Sequence, residues 1–252
     1  MMKSSLLYLI LLLMLAAEAI ALPVAPVKTQ VEAAQTNFYT SLTQLLQRHV
    51  QQGRVNYTSL RQDKEALRQL VNQIGAYDLS RATSAEKKAF YLNAYNLLVL
   101  HQVLDHYPIK SVMDVEGFFD RQEFTVAGEK LTLNELERQK LLKPYQDARV
   151  HFALVCAAAS CPPLLSQAYT PAKVEQQLQG QTESTLQSSQ FIKVQPGQKR
   201  VLVSEIFKWY KDDFLREAPS ILAYINRYRS APLPSSYSLA YYPYNWQLNS
   251  LE

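Results

Sequence analysis

The sequence predicts an α+β domain, a mixed helical fold built around a small antiparallel sheet. Three observations carry that expectation. Apolar residues recur at helical spacing in several long segments, such as Leu67, Leu70, Val71 and Ile74. Shorter apolar pieces flank solitary glycines, Gly128 and Gly197, in the manner of hairpins. No internal repeat or Pro/Gly/Ser-rich linker divides the chain after its first few tens of residues, so one globular domain over residues 37–252 is expected.

The elements follow in order. Leu6 to Ala17 is an apolar run behind Lys3, and Ala19-Ile20-Ala21 offers small residues at signal-peptidase spacing, so residues 1–21 read as a secretory signal. That run is shorter than the roughly 20 residues needed to cross a bilayer. A periplasmic or secreted product without stable membrane insertion is expected, with an uncleaved N-terminal anchor as the alternative. Residues 22–36, with Pro26 and small polar side chains, read as a flexible mature N-terminus. A helix is expected over Phe38 to Val50, stopped by Gly53, and a second over Leu60 to Ile74.

Ser84 to Tyr107 is the strongest helical signal. Ser84 is a suitable cap, Glu86 suits the first turn, and apolar residues from Phe90 to Leu104 cover so much of the circumference that the helix must be central. Asn93, Asn96 and His101 sit among those apolar neighbours, where an unpaired polar group loses its hydration. Two roles are open for the asparagines: internal hydrogen bonding, or reaching a cleft. Beyond Pro108, Glu123 to Leu131 predicts a hairpin turning at Gly128, and Thr132 with Glu135 forms a capping box opening a short helix that contains Glu137. Val150 to Cys156 is placed on a buried strand, whose alternation sets His151 opposite Cys156. Thr170 and Pro171 are expected to open the next helix. Phe191–Val194 and Arg200–Val203 predict an antiparallel pair. A short helix capped by Ser204 and a last one near Ser220 to Tyr228 complete the pattern, followed by an aromatic tail that needs a surface to cover.

The chemistry narrows by exclusion. The net charge of +4 is modest and the basic residues are interspersed with acidic ones, so no nucleic-acid surface is expected. His49, His101, His106 and His151 match no metal-ligand spacing, and neither HExxH nor paired CxxC occurs, so no metal is expected. The glycines are solitary, which leaves no phosphate loop and no nucleotide cofactor; no cofactor is expected at all. A GxSxG elbow is also lacking.

Cys156 and Cys161 are what is left. Two cysteines are too few for a disulfide scaffold. Cys161 lies in a Pro-rich turn where a thiol could emerge at a cleft, with His151 as its base and Glu137 as the group that orients the imidazole. Cys156, opposite His151 on the expected strand, reads as a packed core residue. The alternatives are a Cys156–Cys161 disulfide or an inert or binding role for Cys161, a structural His151, and a structural ion pair for Glu137.

These residues have a familiar order. Ala89-Phe90-Tyr91-Leu92-Asn93-Ala94-Tyr95-Asn96, Leu133 to Glu137, Asp147 to Cys156, Ser160-Cys161-Pro162-Pro163-Leu164, Phe207 to Tyr210 and Tyr244 to Asn249 resemble the domain-of-unknown-function family 547, over roughly Phe90 to Asn249. That family is similar to papain-like and transglutaminase-like cysteine enzymes in a rearranged order. The resemblance implies a rearranged core of that kind, with Cys161 as nucleophile, His151 as base and Glu137 as orienting acid. His151 precedes Cys161, the reverse of papain's order, and Asn245 stands where the family pattern has Asp. The resulting expectation is an exported cysteine-dependent acyl-transfer enzyme, a peptidase or amidase, acting on a peptide, protein or cell-wall peptide. The alternative is a noncatalytic extracytoplasmic module that binds peptide or protein. No oligomeric state is read from the sequence.

Overall fold

The computed structural model describes residues 27–251, with side chains from residue 37 onward. The expected signal over 1–21 lies outside the described residues. Within the stretch expected to be flexible, 22–26 also lie outside, whereas 27–36 already belong to helix α1, Val27–His49. The helix expected from Phe38 therefore begins further upstream.

Strands β1 (Val50–Gln51) and β2 (Arg54–Val55) pair antiparallel through a tight turn at Gln52 (φ 51°) and Gly53 (φ 79°). That turn lies against the Pro-rich segment, because Leu164 N–H donates to the Gly53 carbonyl at 3.1 Å. Helices α2 (Tyr57–Gln62) and α3 (Lys64–Ala76) follow, and Leu67, Leu70 and Ile74 of α3 are buried. Helix α4 (Ser84–His106) is the central helix. Its cap is Thr83 rather than Ser84: Thr83 Oγ1 accepts the Glu86 N–H and Glu86 Oε2 accepts the Thr83 N–H, a full capping box one residue upstream of the expected cap.

Strands β3 (Glu123–Val126) and β4 (Glu129–Thr132) form the expected hairpin, with left-handed Ala127 (φ 49°) and Gly128 (φ 82°) at its tip. Thr132 and Glu135 make the expected capping box at α5 (Leu133–Glu135). The chain continues as a π-helical stretch, Leu136–Leu142, and then α6 (Lys143–Tyr145). The wider π turn carries Glu137 inward, where it is buried, and Arg138 to the exposed side.

The buried strand expected over Val150–Cys156 does not form. Ala148–Phe152 is a 3-10 helix, opened by the Asp147 side chain, which accepts the Arg149 N–H, and closed by the Ala153 N–H bond to Val150 O. A short apolar run carries no periodicity that distinguishes a buried strand from a buried helical turn, and the Asp147 cap decides between them. An ion cluster of Lys88, Asp147, Arg149 and Glu175 ties this turn to α4 and to α7 (Val174–Gln187). Helix α7 starts at Val174, not at Pro171, because Thr170 is used in a preceding turn that accepts the Lys173 N–H.

Strands β5 (Ile192–Gln195) and β6 (Arg200–Ser204) pair antiparallel as expected, and β7 (Ser238–Tyr242) adds to β6 in parallel. Between them lie α8 (Ile206–Trp209), α9 (Lys211–Glu217) and α10 (Ile221–Asn226). Ser204 Oγ accepts the Ile206 N–H at α8, and Ser220 Oγ accepts the Ala223 N–H at α10. The described residues thus form a mixed α+β fold with small sheets of two, two and three strands. Their apolar interior has two parts, one around α1, α3 and α4, the other around Phe152, Phe207, Phe214 and Tyr224. Cys161 and Trp246 pack against both parts, at their seam. No helix among the described residues is long and apolar enough to cross a membrane.

Candidate functional site: a sulfur pair beside an aromatic cavity

The site is assembled by three segments that hold one another by backbone bonds. Asn96 of α4 donates to the Ala153 carbonyl at 2.9 Å and accepts the Val155 N–H at 2.9 Å, which fixes the chain just before Cys156. Asn93 holds Tyr169 in the same two-handed way, donating to its carbonyl and accepting its N–H. Both asparagines therefore serve internal bonding, beside a small pocket that they line with Leu42 and Tyr169. The aromatic tail runs along the turn between the cysteines: Ala159 N–H donates to Gln247 O, Ser160 N–H to Asn245 O, and Asn249 N–H to Ala157 O. Asn245 is exposed, and its side-chain oxygen accepts the Gln247 N–H in a local turn, a role open to Asp as well.

The two sulfurs of Cys156 and Cys161 lie in direct contact at 2.6 Å, both as free thiols. The Cys161 sulfur accepts the Cys156 N–H at 3.1 Å, the Ala158 N–H at 3.3 Å and the Tyr244 hydroxyl at 3.2 Å. Burial works to raise the Cys161 thiol pKa, but the hydrogen bonds from Cys156, Tyr244 and the two backbone amides outweigh it and bring it below the usual thiol range. Cys156 moves the opposite way, pushed well up by its hydrogen bond to Cys161 and then by burial. The two shifts run in opposite directions, so Cys161 is the more readily ionised thiol of the pair.

A cavity of about 340 Å³ adjoins the pair. Glu137, His151 and Tyr210 contribute its polar wall, and Trp209, Tyr244 and Trp246 its aromatic one. Trp209 and Trp246 stack with ring centroids 5.8 Å apart, and Tyr244 packs against both. Cys156 and Pro162 line this cavity, and Cys161, half-buried like Cys156, adjoins both. The expectation that Cys156 is a packed core residue rested on the strand alternation that the 3-10 turn replaces; Cys156 is half-buried and lines the cavity.

His151 is buried between Tyr210 (ring centroids 4.0 Å) and Phe214 (5.4 Å). Its Nε2 bonds Asp213 Oδ2 at 2.7 Å, and Asp213 is held below the usual carboxylate range first by that bond. An ionised Asp213 accepts the Nε2–H, which leaves Nδ1 as the basic nitrogen. Neither cysteine sulfur hydrogen-bonds the imidazole. Glu137 does not bond it either: Glu137 Oε1 accepts the Tyr210 hydroxyl at 2.7 Å, and burial pushes the Glu137 carboxyl above its ordinary range. The three residues singled out in the sequence therefore gather around one cavity wall and sulfur pair, but the partner of the histidine is Asp213.

Asp213, Tyr210 and Tyr244 escaped the sequence reading as site residues. Asp213 stands beside Asp212 in the first turn of a short helix, where acidic residues are ordinary, so its pattern gives no separate signal. Tyr244 lies in a tail whose aromatics were expected only to cover a surface.

Residues 79–185 match the family model DUF547, described as a protein of unknown function. The matched stretch contains α4, Glu137, His151 and both cysteines, and stops short of Tyr210, Asp213 and Tyr244. No curated protein and no solved structure matches the chain significantly.

Proposed function

We propose that the protein is an exported cysteine-dependent acyl-transfer enzyme of peptidase or amidase type, related in mechanism to papain-like and transglutaminase-like enzymes. The observation that carries this reading is the Cys161 sulfur accepting two backbone N–H groups and the Tyr244 hydroxyl, the surroundings a thiolate nucleophile requires. Cys161 attacks the carbonyl carbon of an amide, and the same backbone donors are at hand for charge that leaves the sulfur as the new bond forms. His151, with its tautomer set by Asp213, takes up the thiol proton at Nδ1 as the thiolate forms and passes it to the departing amine; the same nitrogen then takes a proton from the water or second amine that releases the acyl group, and returns it to sulfur. Asp213 takes the orienting role first given to Glu137. Glu137, whose carboxyl burial pushes above its ordinary range, is offered as a second proton donor on the cavity wall.

The aromatic wall favours peptides with a planar or apolar side chain, including cell-wall peptides. The full chain, reduced and screened against mixed peptide and amide substrates, should release amine, and Cys161→Ala should abolish turnover while the protein keeps its circular dichroism. Unchanged turnover in that variant overturns the reading.

A second reading has its own support. Neither sulfur bonds His151, and six of the fourteen residues lining the cavity are aromatic, which suits a noncatalytic module binding peptide or protein. In that case peptide binding survives Cys161→Ala and no substrate is turned over.

A further inference from the structure

Nothing in acyl transfer explains why a second thiol should stand against the nucleophile. Cys156 stands in contact with Cys161, lines the cavity, and has no counterpart in the chemistry of a single-sulfur nucleophile. The geometry points to a dithiol–disulfide centre: Cys156 and Cys161 exchange with thiols that enter through the cavity, Cys156 being the sulfur attacked and Cys161 the sulfur that leaves.

Three features support this assignment. The first is placement. Both sulfurs are held in contact by bonds that do not involve sulfur, namely the Asn96 clamp before Cys156 and the tail strand laid on the intervening turn through Ala159 and Ser160. A pair held within reach in the reduced state loses little freedom on closing the ring, so the disulfide forms readily and reopens without rebuilding the fold.

The second is access. Cys156 lines the cavity, so a thiolate that enters there meets its sulfur.

The third is the leaving group. Exchange is faster when the departing sulfur is a stable thiolate. Cys161 as a thiolate recovers the Cys156 and Ala158 N–H groups and the Tyr244 hydroxyl, whereas the Cys156 sulfur shares the Ala158 N–H and the Tyr244 hydroxyl but has no second backbone amide of its own. Access and leaving-group stability thus select the same direction.

The steps balance. A substrate thiol RSH releases its proton to solvent, and its thiolate forms an S–S bond to Cys156 as the Cys156–Cys161 bond breaks and Cys161 leaves as thiolate. A second thiolate attacks the R sulfur of that mixed disulfide, giving RSSR and releasing Cys156, which takes up a proton. Two substrate thiols are oxidised and one protein disulfide is reduced to a thiol–thiolate pair. A small disulfide, reduced in the reverse sequence, restores the oxidised protein. The substrates are thiols small enough for a cavity of about 340 Å³, or the cysteine side chain of a peptide laid against Trp209 and Trp246.

The test uses the full chain and glutathione. Incubation with glutathione disulfide should remove the mass of two hydrogens and abolish alkylation of both cysteines, and reduced glutathione should restore both. Reduced glutathione added briefly to the oxidised protein and quenched in acid should be found by peptide mapping on Cys156. Cys156→Ser and Cys161→Ser should each take up glutathione and never lose two hydrogens; the wild-type mapping decides the matter should either variant fail to fold. Both thiols alkylating after exposure to the disulfide overturns the proposal, and glutathione mapped to Cys161 overturns its direction. No acyl substrate enters these measurements, so their failure leaves acyl transfer standing, and a protein without acyl-transfer activity can still pass them.

Discussion

His151 and Asp213 form a hydrogen-bonded pair, Nε2 to Oδ2 at 2.7 Å, across 62 residues of sequence. An imidazole held this way presents Nδ1 for proton transfer, and the carboxylate stabilises the imidazolium when it forms. Asp213→Asn should leave the fold intact while lowering kcat for amide turnover by roughly 10²–10⁴-fold, as expected when the tautomer is no longer set. Glu137→Gln, which alters no bond to His151, should cost less than Asp213→Asn. Steady-state kinetics of the two variants side by side make the comparison, and equal losses would remove the distinction between them.

Tyr244 donates its hydroxyl to the Cys161 sulfur at 3.2 Å, one of the hydrogen bonds that lower the thiol pKa against burial. Tyr244→Phe deletes one donor and keeps the ring against Trp209 and Trp246. A hydrogen bond to a charged group contributes about 1.5–3 kcal/mol, so the thiol pKa should rise by about one to two pH units. The rate of iodoacetamide modification of the reduced protein, followed against pH, should move to higher pH by that amount. A profile superimposable on that of the wild type would show that the backbone amides alone hold the thiolate.

What the sequence disclosed and what it hid divide by range. The Thr132–Glu135 capping box and the Gly128 hairpin depend on neighbours within a few residues, and both stand in the structure as expected. Cys161, His151 and Glu137 were legible as residue types that do chemistry. Their pairing was not, because Asp213 meets His151 only after α9 packs on the 3-10 turn. That turn was itself misread: Asp147 caps it through a side-chain bond that competes with a strand ladder, and the resulting geometry turns Cys156 toward the cavity. Strand β7 was hidden for a related reason. It pairs in parallel with β6 across α8, α9 and α10, and no local turn announces it.

Gly53 couples the first hairpin to the segment bearing Cys161. Its φ of 79° is left-handed, and a Cβ on it would run into Pro163, whose position is shared with Cys161 along one short turn. Gly53→Ala should therefore destabilise the protein by about 1–3 kcal/mol through backbone strain, with the contact adding to it. Gly128→Ala, also at positive φ but facing open space, isolates the strain alone and should cost less. Urea unfolding of both variants measures the difference. Thiol alkylation should change in Gly53→Ala and not in Gly128→Ala.

Glu137 makes a prediction whose sign is opposite to that of Asp213. Burial raises the Glu137 carboxyl above its ordinary value of 4.5, so the native state binds this proton more tightly than the unfolded chain does. The stability it contributes is full below about 4.5 and declines as pH rises through the folded value. Asp213, whose pKa is depressed, contributes stability above its ordinary value of 3.8 that is lost as pH falls through the folded one. Glu137→Gln replaces the acid with a neutral group that still accepts the Tyr210 hydroxyl and never ionises. Its melting temperature should match the wild type near pH 4 and exceed it progressively toward pH 8, whereas Asp213→Asn should lower the melting temperature most at neutral pH and least in acid. Differential scanning calorimetry across that range reads both. A Glu137→Gln protein that loses stability steadily as pH rises would mean that Glu137 works in the native state as a stabilising carboxylate, and the role of second proton donor would fall with it.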